Sequence, residues 1–241
     1  MTLVFLKEYL KMATCLCPEL AKELSTVQQH LEKEKGRVTW PALSRLDWEF
    51  LPAMVIISGQ SYQFQGPRLI SLAAVFQLIF LASFIHANAG KEAARCTLWG
   101  DYFYTKFFEL LCRDGNLKFL STLANMICQI HLILIKMREA QKAEEIDTAT
   151  REVRALLGGN AAKLGALLGG ASQEEASLWH EVGRTLGVIW WERSAGRAIP
   201  VTLLKETEAA LKQLPDNPAK SRVLKIFQMM STPLEVRKLA T

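Results

Sequence analysis

The sequence predicts an all-α protein, and three observations lead there. No segment alternates apolar and polar residues with the period of a strand. Long segments repeat apolar residues at helical spacing, separated by short Gly, Pro, Asn or Ser breaks. One stretch, residues 69–85, is apolar on every face except at Ser71, Gln77 and Ser83, which is the pattern of a helix surrounded by other helices.

Residues 2–32 read as one or two amphipathic helices, and the charged stretch 33–37, with Gly36, as a turn. Trp40-Pro41 opens the next segment. Leu51-Pro52 interrupts or restarts it, because proline lacks the N–H a helix interior needs. An apolar run at 53–58 leads into a polar connection with Gly59 and Gly66 at its edges. The central helix, 69–86, follows. At about 17 residues its apolar part sits at the lower limit for a bilayer span, and the apolar faces elsewhere in the chain favour burial inside a bundle. Residues 87–94 are small and polar and read as a loop. A helix at 98–111 stops at Arg113-Asp114-Gly115-Asn116, and residues 117–145 read as one long helix. Asp147-Thr148-Ala149-Thr150 has the composition of a cap, with Asp147 or Thr148 as the N-cap residue. Glycine pairs then suggest two short helices, 151–157 and 161–168, before a longer one at 173–191. After Gly196 and Ile199-Pro200 comes a C-terminal pair, 201–214 and 218–230, divided by Pro215 and Pro218. Short connections pack all of this most easily as one domain over residues 1–241.

Composition narrows the function. Half of the 241 residues are hydrophobic and 22% are charged, enough apolar material for a sizeable core. The net charge of +5 is spread among nearly as many acids as bases. No basic patch with interleaved aromatics is present, so no nucleic-acid partner is expected. Weak attraction to an anionic partner or membrane surface stays open. Cys15, Cys17, Cys96, Cys112 and Cys128 are odd in number and lack zinc or disulfide spacing, which fits reduced thiols in a cytoplasmic protein, at most peripheral to a membrane. Residues 1–12 carry Lys7, Glu8 and Lys11 and do not read as a signal peptide.

Catalytic constellations are missing. No phosphate loop ends in Lys-Ser or Lys-Thr, and no His-Glu-x-x-His pair occurs. Gly158-Gly159 and Gly165 to Gly170 read as close helix packing or helix ends. His30, His86, His131 and His180 lie far apart in sequence and read as hydrogen-bonded structural histidines. Glu144-Glu145 and Glu174-Glu175 sit at helix termini, where carboxylates complement the dipole. Tyr102, Phe103, Tyr104, Phe107 and Phe108 cover most of one helix, so it is expected to be buried on several sides, partner side included. Of the adjacent Trp190 and Trp191, one must turn away from the face that buries the other.

Over residues 45–195 the order of segments resembles the trans-prenyl diphosphate synthases. Leu51-Pro52-Ala53-Met54 looks like the helix after their basic diphosphate-binding motif. Phe84-Ile85-His86 resembles the end of their central helix before the first aspartate-rich motif. Leu98-Trp99-Gly100-Asp101-Tyr102-Phe103 looks like their Leu-Gly-Asp-Tyr segment, and Gly183-Arg184-Thr185-Leu186-Gly187 the Gly-x-x-Leu-Gly before the second aspartate motif. The resemblance implies an all-α, isoprenoid-synthase-like helical bundle, flanked by N-terminal helices in 1–40 and a C-terminal pair in 197–241.

The family holds magnesium with its aspartates, and the ions hold an allylic diphosphate. Here Ala87-Asn88-Ala89-Gly90-Lys91 stands at the first motif and Trp191-Glu192-Arg193-Ser194-Ala195 at the second. Asp47-Trp48-Glu49-Phe50-Leu51-Pro52 replaces the basic motif, and Asn160-Ala161 replaces Lys-Thr. Four binding elements depart together. The resemblance therefore implies the smaller, non-catalytic component of a heterodimeric synthase, of the kind that makes hexaprenyl or heptaprenyl side chains of menaquinone. No catalytic residue, metal ligand or cofactor is expected on this chain. Magnesium would sit on a catalytic partner that carries the aspartate motifs, with the polyprenyl diphosphate chain in a shared tunnel. Pairing with itself when alone stays open. By position, Ala82, Ser83 and His86 are the candidates for setting tunnel depth, and Phe103, Phe107, Met126 and Ile130 for the subunit interface. A stand-alone enzyme with an altered site and a helical lipid-binding protein are the alternatives.

Overall fold

The computed structural model describes residues 16–36, 38, 40–88, 93–140 and 142–232. Among these residues there are nine α-helices and no strand: α1 Ala21–Glu34, α2 Arg45–Gln60, α3 Pro67–Ala87, α4 Ala93–Arg113, α5 Leu120–Glu139, α6 Ala143–Gly169, α7 Gln173–Ser194, α8 Val201–Gln213 and α9 Pro218–Ser231. Single 3-10 turns at Pro18–Leu20 and Leu117–Phe119 lead into α1 and α5.

α3 is the axis of the bundle. Pro67 starts it with a φ already suited to the first turn. All but a few of its side chains from Leu69 to Ile85 are buried against α1, α2, α4 and α6. It is long and apolar enough to cross a membrane, yet 83% of its most apolar window is buried in the protein, as expected for a core helix.

α2 corrects the expected break at Leu51-Pro52. Ser44 caps the helix through a capping box: its hydroxyl accepts from the Asp47 N–H at 3.1 Å, and the Ser44 N–H donates to Asp47 Oδ2 at 3.1 Å. An interior proline forfeits one backbone hydrogen bond and costs about 3 kcal/mol. Every residue from Asp47 to Gly59 is buried, and this packing carries the helix through Pro52.

The long helix expected over 117–145 is two helices, because the chain turns extended at Ala140 (ψ 132°). The expected cap at 147–150 and the two short helices after it are instead one 27-residue helix, α6. Thr148 and Thr150 turn their hydroxyls back to the Glu144 and Ile146 carbonyls at 2.8 Å each, and Asp147 reaches sideways to α7. Gly158 stays helical because α6 meets α7 backbone to backbone there. A Cβ on Gly158 would collide with the Gly183 carbonyl, and one on Gly183 with the Gly158 carbonyl. The helix stops at Gly170, whose left-handed φ of 102° lets the Ala171 N–H reach the Ala166 carbonyl at 3.0 Å.

α7 starts with a second capping box, Ser172 with Glu175, so the acidic pair there does serve the helix N-terminus. α8 and α9 follow as expected, the latter capped by Asn217 ahead of Pro218. The core runs through the whole bundle, with Phe50, Phe76, Phe103, Trp179 and Trp190 among its largest fully buried side chains.

Candidate functional site

A cavity of about 490 Å³ opens between α3, α5, α6 and α7. Phe80, Ser83, Phe84, Ala87 and Asn88 supply the α3 wall, Leu134, Met137 and Arg138 the α5 wall, and Ile146, Thr150, Val153 and Arg154 the α6 wall, with Trp191 closing the α7 side. Most of this lining is apolar, and the charges on it are guanidinium groups, a combination suited to an apolar or amphipathic chain.

Arg154 is buried at the cavity wall. Its Nη1 donates to Asp47 Oδ1 at 3.0 Å, and Trp190 Nε1 donates to the same oxygen at 3.0 Å. The guanidinium carbon lies 3.6 Å from the Trp190 ring centre and 4.5 Å from that of Phe80. Burial lowers the Arg154 pKa to about 10, against the opposing pull of the Asp47 charge. Gln77 Nε2 donates to the Asp47 carbonyl at 3.1 Å and ties the centre of α3 to the start of α2. Glu49, the second acid of that segment, accepts from Arg45 Nε at 2.7 Å and from the Leu16 N–H at 2.8 Å. Both acids that stand in place of a basic motif thus face inward and hold the protein's own donors.

A second group of charges lies beside Trp191. Glu192 is 2% exposed. It meets Arg151 Nη2 at 2.6 Å and Arg197 Nε at 2.7 Å. Asp147 meets Arg197 Nη1 at 2.6 Å and Arg151 Nη2 at 3.5 Å, and accepts from Trp191 Nε1 at 2.8 Å. Burial alone would raise the Asp147 pKa, but the hydrogen bonds from Arg197 and Trp191 outweigh it and hold the carboxyl below its ordinary value. Asn160, where the resemblance expects a lysine, donates its amide to the Leu156 carbonyl of its own helix at 2.9 Å.

Of the three tunnel candidates, Ser83 lines the cavity. Its hydroxyl donates to the Ile79 carbonyl at 2.8 Å and meets the Tyr104 hydroxyl at 3.0 Å, so Tyr104 walls off the α4 side behind it. Ala82 is fully buried in the core and is not among the lining residues. His86 points away from the cavity, packed over Gly100. Its ring stacks on Tyr104 with centres 5.7 Å apart, and its Nε2 lies 3.4 Å from Asp101 Oδ1. Burial lowers the His86 pKa despite the nearby Asp101 charge. Burial also drives the Tyr104 hydroxyl up to about 12.

The four interface candidates need correction. Phe103, Phe107, Met126 and Ile130 are buried within the chain itself, on the inward faces of α4 and α5, and offer no surface to a partner. The outward faces of the same two helices carry Leu98 (69% exposed), Phe108 (47%), Leu132 (59%) and Ile135 (53%). A window of residues Leu117–Glu139 is also long and apolar enough to span a membrane, and 33% of it is buried.

Among the described residues, no three His, Cys, Asp or Glu side chains gather as metal ligands, and Cys96, Cys112 and Cys128 carry free thiols. Ala89, Gly90 and Lys91 of the first departed motif, Cys15 and the segment 1–12 lie outside the described residues. A magnesium ion needs carboxylate oxygens to spare. Asp47, Asp147 and Glu192 are already paired with arginines, so these three carboxylates do not fit such an ion.

No family model matches the chain. It is 24% identical over 159 residues to the octaprenyl diphosphate synthase of Escherichia coli, covering 58% of this chain and 49% of that one. It is 32% identical over 114 residues to the geranylgeranyl diphosphate synthase of Methanosarcina mazei, covering 43% and 35%. The chain thus spans about half or less of the length of these curated relatives. The decaprenyl diphosphate synthase of Rhodobacter capsulatus superposes with a TM-score of 0.71 at 16% identity, over 90% of this chain and 97% of that one. The geranyl diphosphate synthase small subunit of Antirrhinum majus superposes with a TM-score of 0.61 at 15% identity, over 86% and 96%. The fold is therefore the all-α isoprenoid-synthase fold, and the similarity lies with polyprenyl diphosphate synthases.

Proposed function

We propose that the chain is a non-catalytic, auxiliary subunit of a polyprenyl diphosphate synthase. One observation carries this reading. Asp47, Asp147 and Glu192, whose partner or chain neighbours Arg154, Ile146 and Trp191 line the cavity, are all paired with the protein's own arginines. A carboxylate committed to a guanidinium is a poor ligand for Mg²⁺, because the ion would have to displace charge-assisted hydrogen bonds and sit next to a positive group. No step of diphosphate chemistry is assigned to this chain.

What the chain keeps is the scaffold: the central helix, an apolar cavity beside it and two helices with apolar outward faces. Exposed Leu98, Phe108, Leu132 and Ile135 suit a subunit interface better than water. A solved neighbour is itself named a small subunit, which supports a partner of the same fold that carries the aspartate motifs. In such a pair this chain completes the dimer and contributes to product length, with Ser83 at the cavity wall, backed by Tyr104 at 3.0 Å, as the residue that would act on it.

Co-expression with a full prenyl diphosphate synthase of the same organism, followed by affinity capture and product-length analysis, tests the reading. A stable complex whose products differ in length from those of the synthase alone is expected. No complex and no change in product would refute it. Detergent-dependent membrane fractionation of the chain alone would instead favour a lipid-associated role for the apolar α5 face.

A further inference from the structure

Asp147 sits near the start of α6 and Glu192 near the end of α7, so two helices bring their carboxylates to one place. Arg151 touches both carboxylates through Nη2, at 2.6 Å to Glu192 and 3.5 Å to Asp147. Arg197, just past the end of α7, also touches both, through Nε to Glu192 at 2.7 Å and through Nη1 to Asp147 at 2.6 Å. The four side chains close a ring in which positive and negative groups alternate, with two of each. Trp191 Nε1 holds Asp147 from outside the ring at 2.8 Å.

We infer that this ring of Asp147, Arg151, Glu192 and Arg197 is a built-in substitute for a divalent cation, and that it fastens the start of α6 to the end of α7. Glu192 is almost fully buried, and an ionised carboxylate in that position needs a counter-charge. Two buried or half-buried carboxylates from different helices can be held together in two ways. A hard cation can take an oxygen from each and fill its remaining positions with water. Two guanidiniums can bridge them with planar, charge-assisted hydrogen bonds. Each arginine here reaches both carboxylates: Arg197 by hydrogen bonds to Glu192 and to Asp147, and Arg151 by ion-pair contacts at 2.6 Å to Glu192 and 3.5 Å to Asp147. The bridging charge is supplied by the chain, so the bundle needs no metal for its stability. The inference rests on the same carboxylates as the proposed function but on no partner, and it can fail without that function failing.

The test is thermal unfolding of the full chain in EDTA and in millimolar MgCl₂, for the wild type and for R151Q/R197Q. The wild type is expected to unfold at the same temperature in both. The double variant, with both carboxylates stripped of these guanidiniums, is expected to melt well below the wild type in EDTA and to regain part of the loss in Mg²⁺. R197Q alone should show the same pattern at smaller amplitude and serves if the double variant does not fold. A wild-type melting temperature that rises with Mg²⁺, or variant losses that are the same in Mg²⁺ and EDTA, would overturn the inference.

Discussion

Replacing Arg154 by methionine keeps most of the side-chain volume at the cavity wall and removes the charge. Asp47 then keeps Trp190 Nε1 at 3.0 Å and its place in the capping box of α2, but loses the guanidinium at 3.0 Å. Both partners are less than a tenth exposed, at 6% for Arg154 and 7% for Asp47, so water cannot replace the lost contact without opening the core. Removing one partner of a buried ion pair costs about 3–5 kcal/mol. At roughly 2–4 °C per kcal/mol for a domain of this size, R154M should melt about 6–20 °C below the wild type. The assay is thermal unfolding followed by far-UV circular dichroism, backed by urea unfolding at constant m. The second variant, D47N/R154M, removes the stranded charge and keeps one oxygen for Trp190, but its amide nitrogen cannot accept from the Ser44 N–H as Oδ2 does, so it should recover only part of the loss. If R154M falls within about 1 kcal/mol of the wild type, as an exposed pair would, the buried-pair reasoning is wrong.

Three further outcomes follow from the packing, the burial and the surface. G183A drives a methyl into the Gly158 carbonyl and should cost about 1–3 kcal/mol in urea unfolding, whereas A209G on exposed α8 should cost no more than about 1 kcal/mol. His86, His131 and His180 are pushed by burial below their ordinary value, so each is neutral in the folded chain and protonates more readily when unfolded. Stability is at its fullest above the unfolded value of about 6.5 and is lost as the pH falls below it, because the unfolded chain then binds protons first, so the melting temperature should drop as the pH falls through about 6.5, less steeply in H180Q. L132K/I135K leaves the monomer stable, because both side chains already face outward, and should abolish capture of a co-expressed synthase subunit; unchanged capture would move the interface away from α5.

The fold was largely legible because its strongest signals are local. The all-round apolar stretch of α3 reads directly as a central helix, and the C-terminal pair is punctuated by prolines at its boundaries. The misread breaks inside α2 and α6 have one physical origin, tertiary packing that outweighs a local break. Pro52 stays inside α2 because its neighbours on all sides are buried, and Gly158 stays inside α6 because α7 needs it to be small. The interface residues were misplaced because α4 and α5 are apolar on more than one face, and a pattern apolar all round does not say which face looks inward. Phe103 and Phe108 are both aromatic, yet one is fully buried and the other 47% exposed. The missed parts of the site are long-range. Arg154 lies in a segment that reads only as a short helix over 151–157, and its partner Asp47 is 107 residues away in sequence. Tyr104 could have been found as the aromatic two residues past Tyr102 in the Gly-Asp-Tyr segment, but its hydroxyl contact with Ser83 appears only once α3 and α4 are packed.

In the proposed role this chain retains the synthase scaffold without its diphosphate chemistry. Incubating the purified chain with farnesyl diphosphate, radiolabelled isopentenyl diphosphate and Mg²⁺, and extracting the prenyl products, tests it most directly. No label above the protein-free control is expected for the chain alone. Magnesium-dependent chain elongation by the chain alone would contradict it.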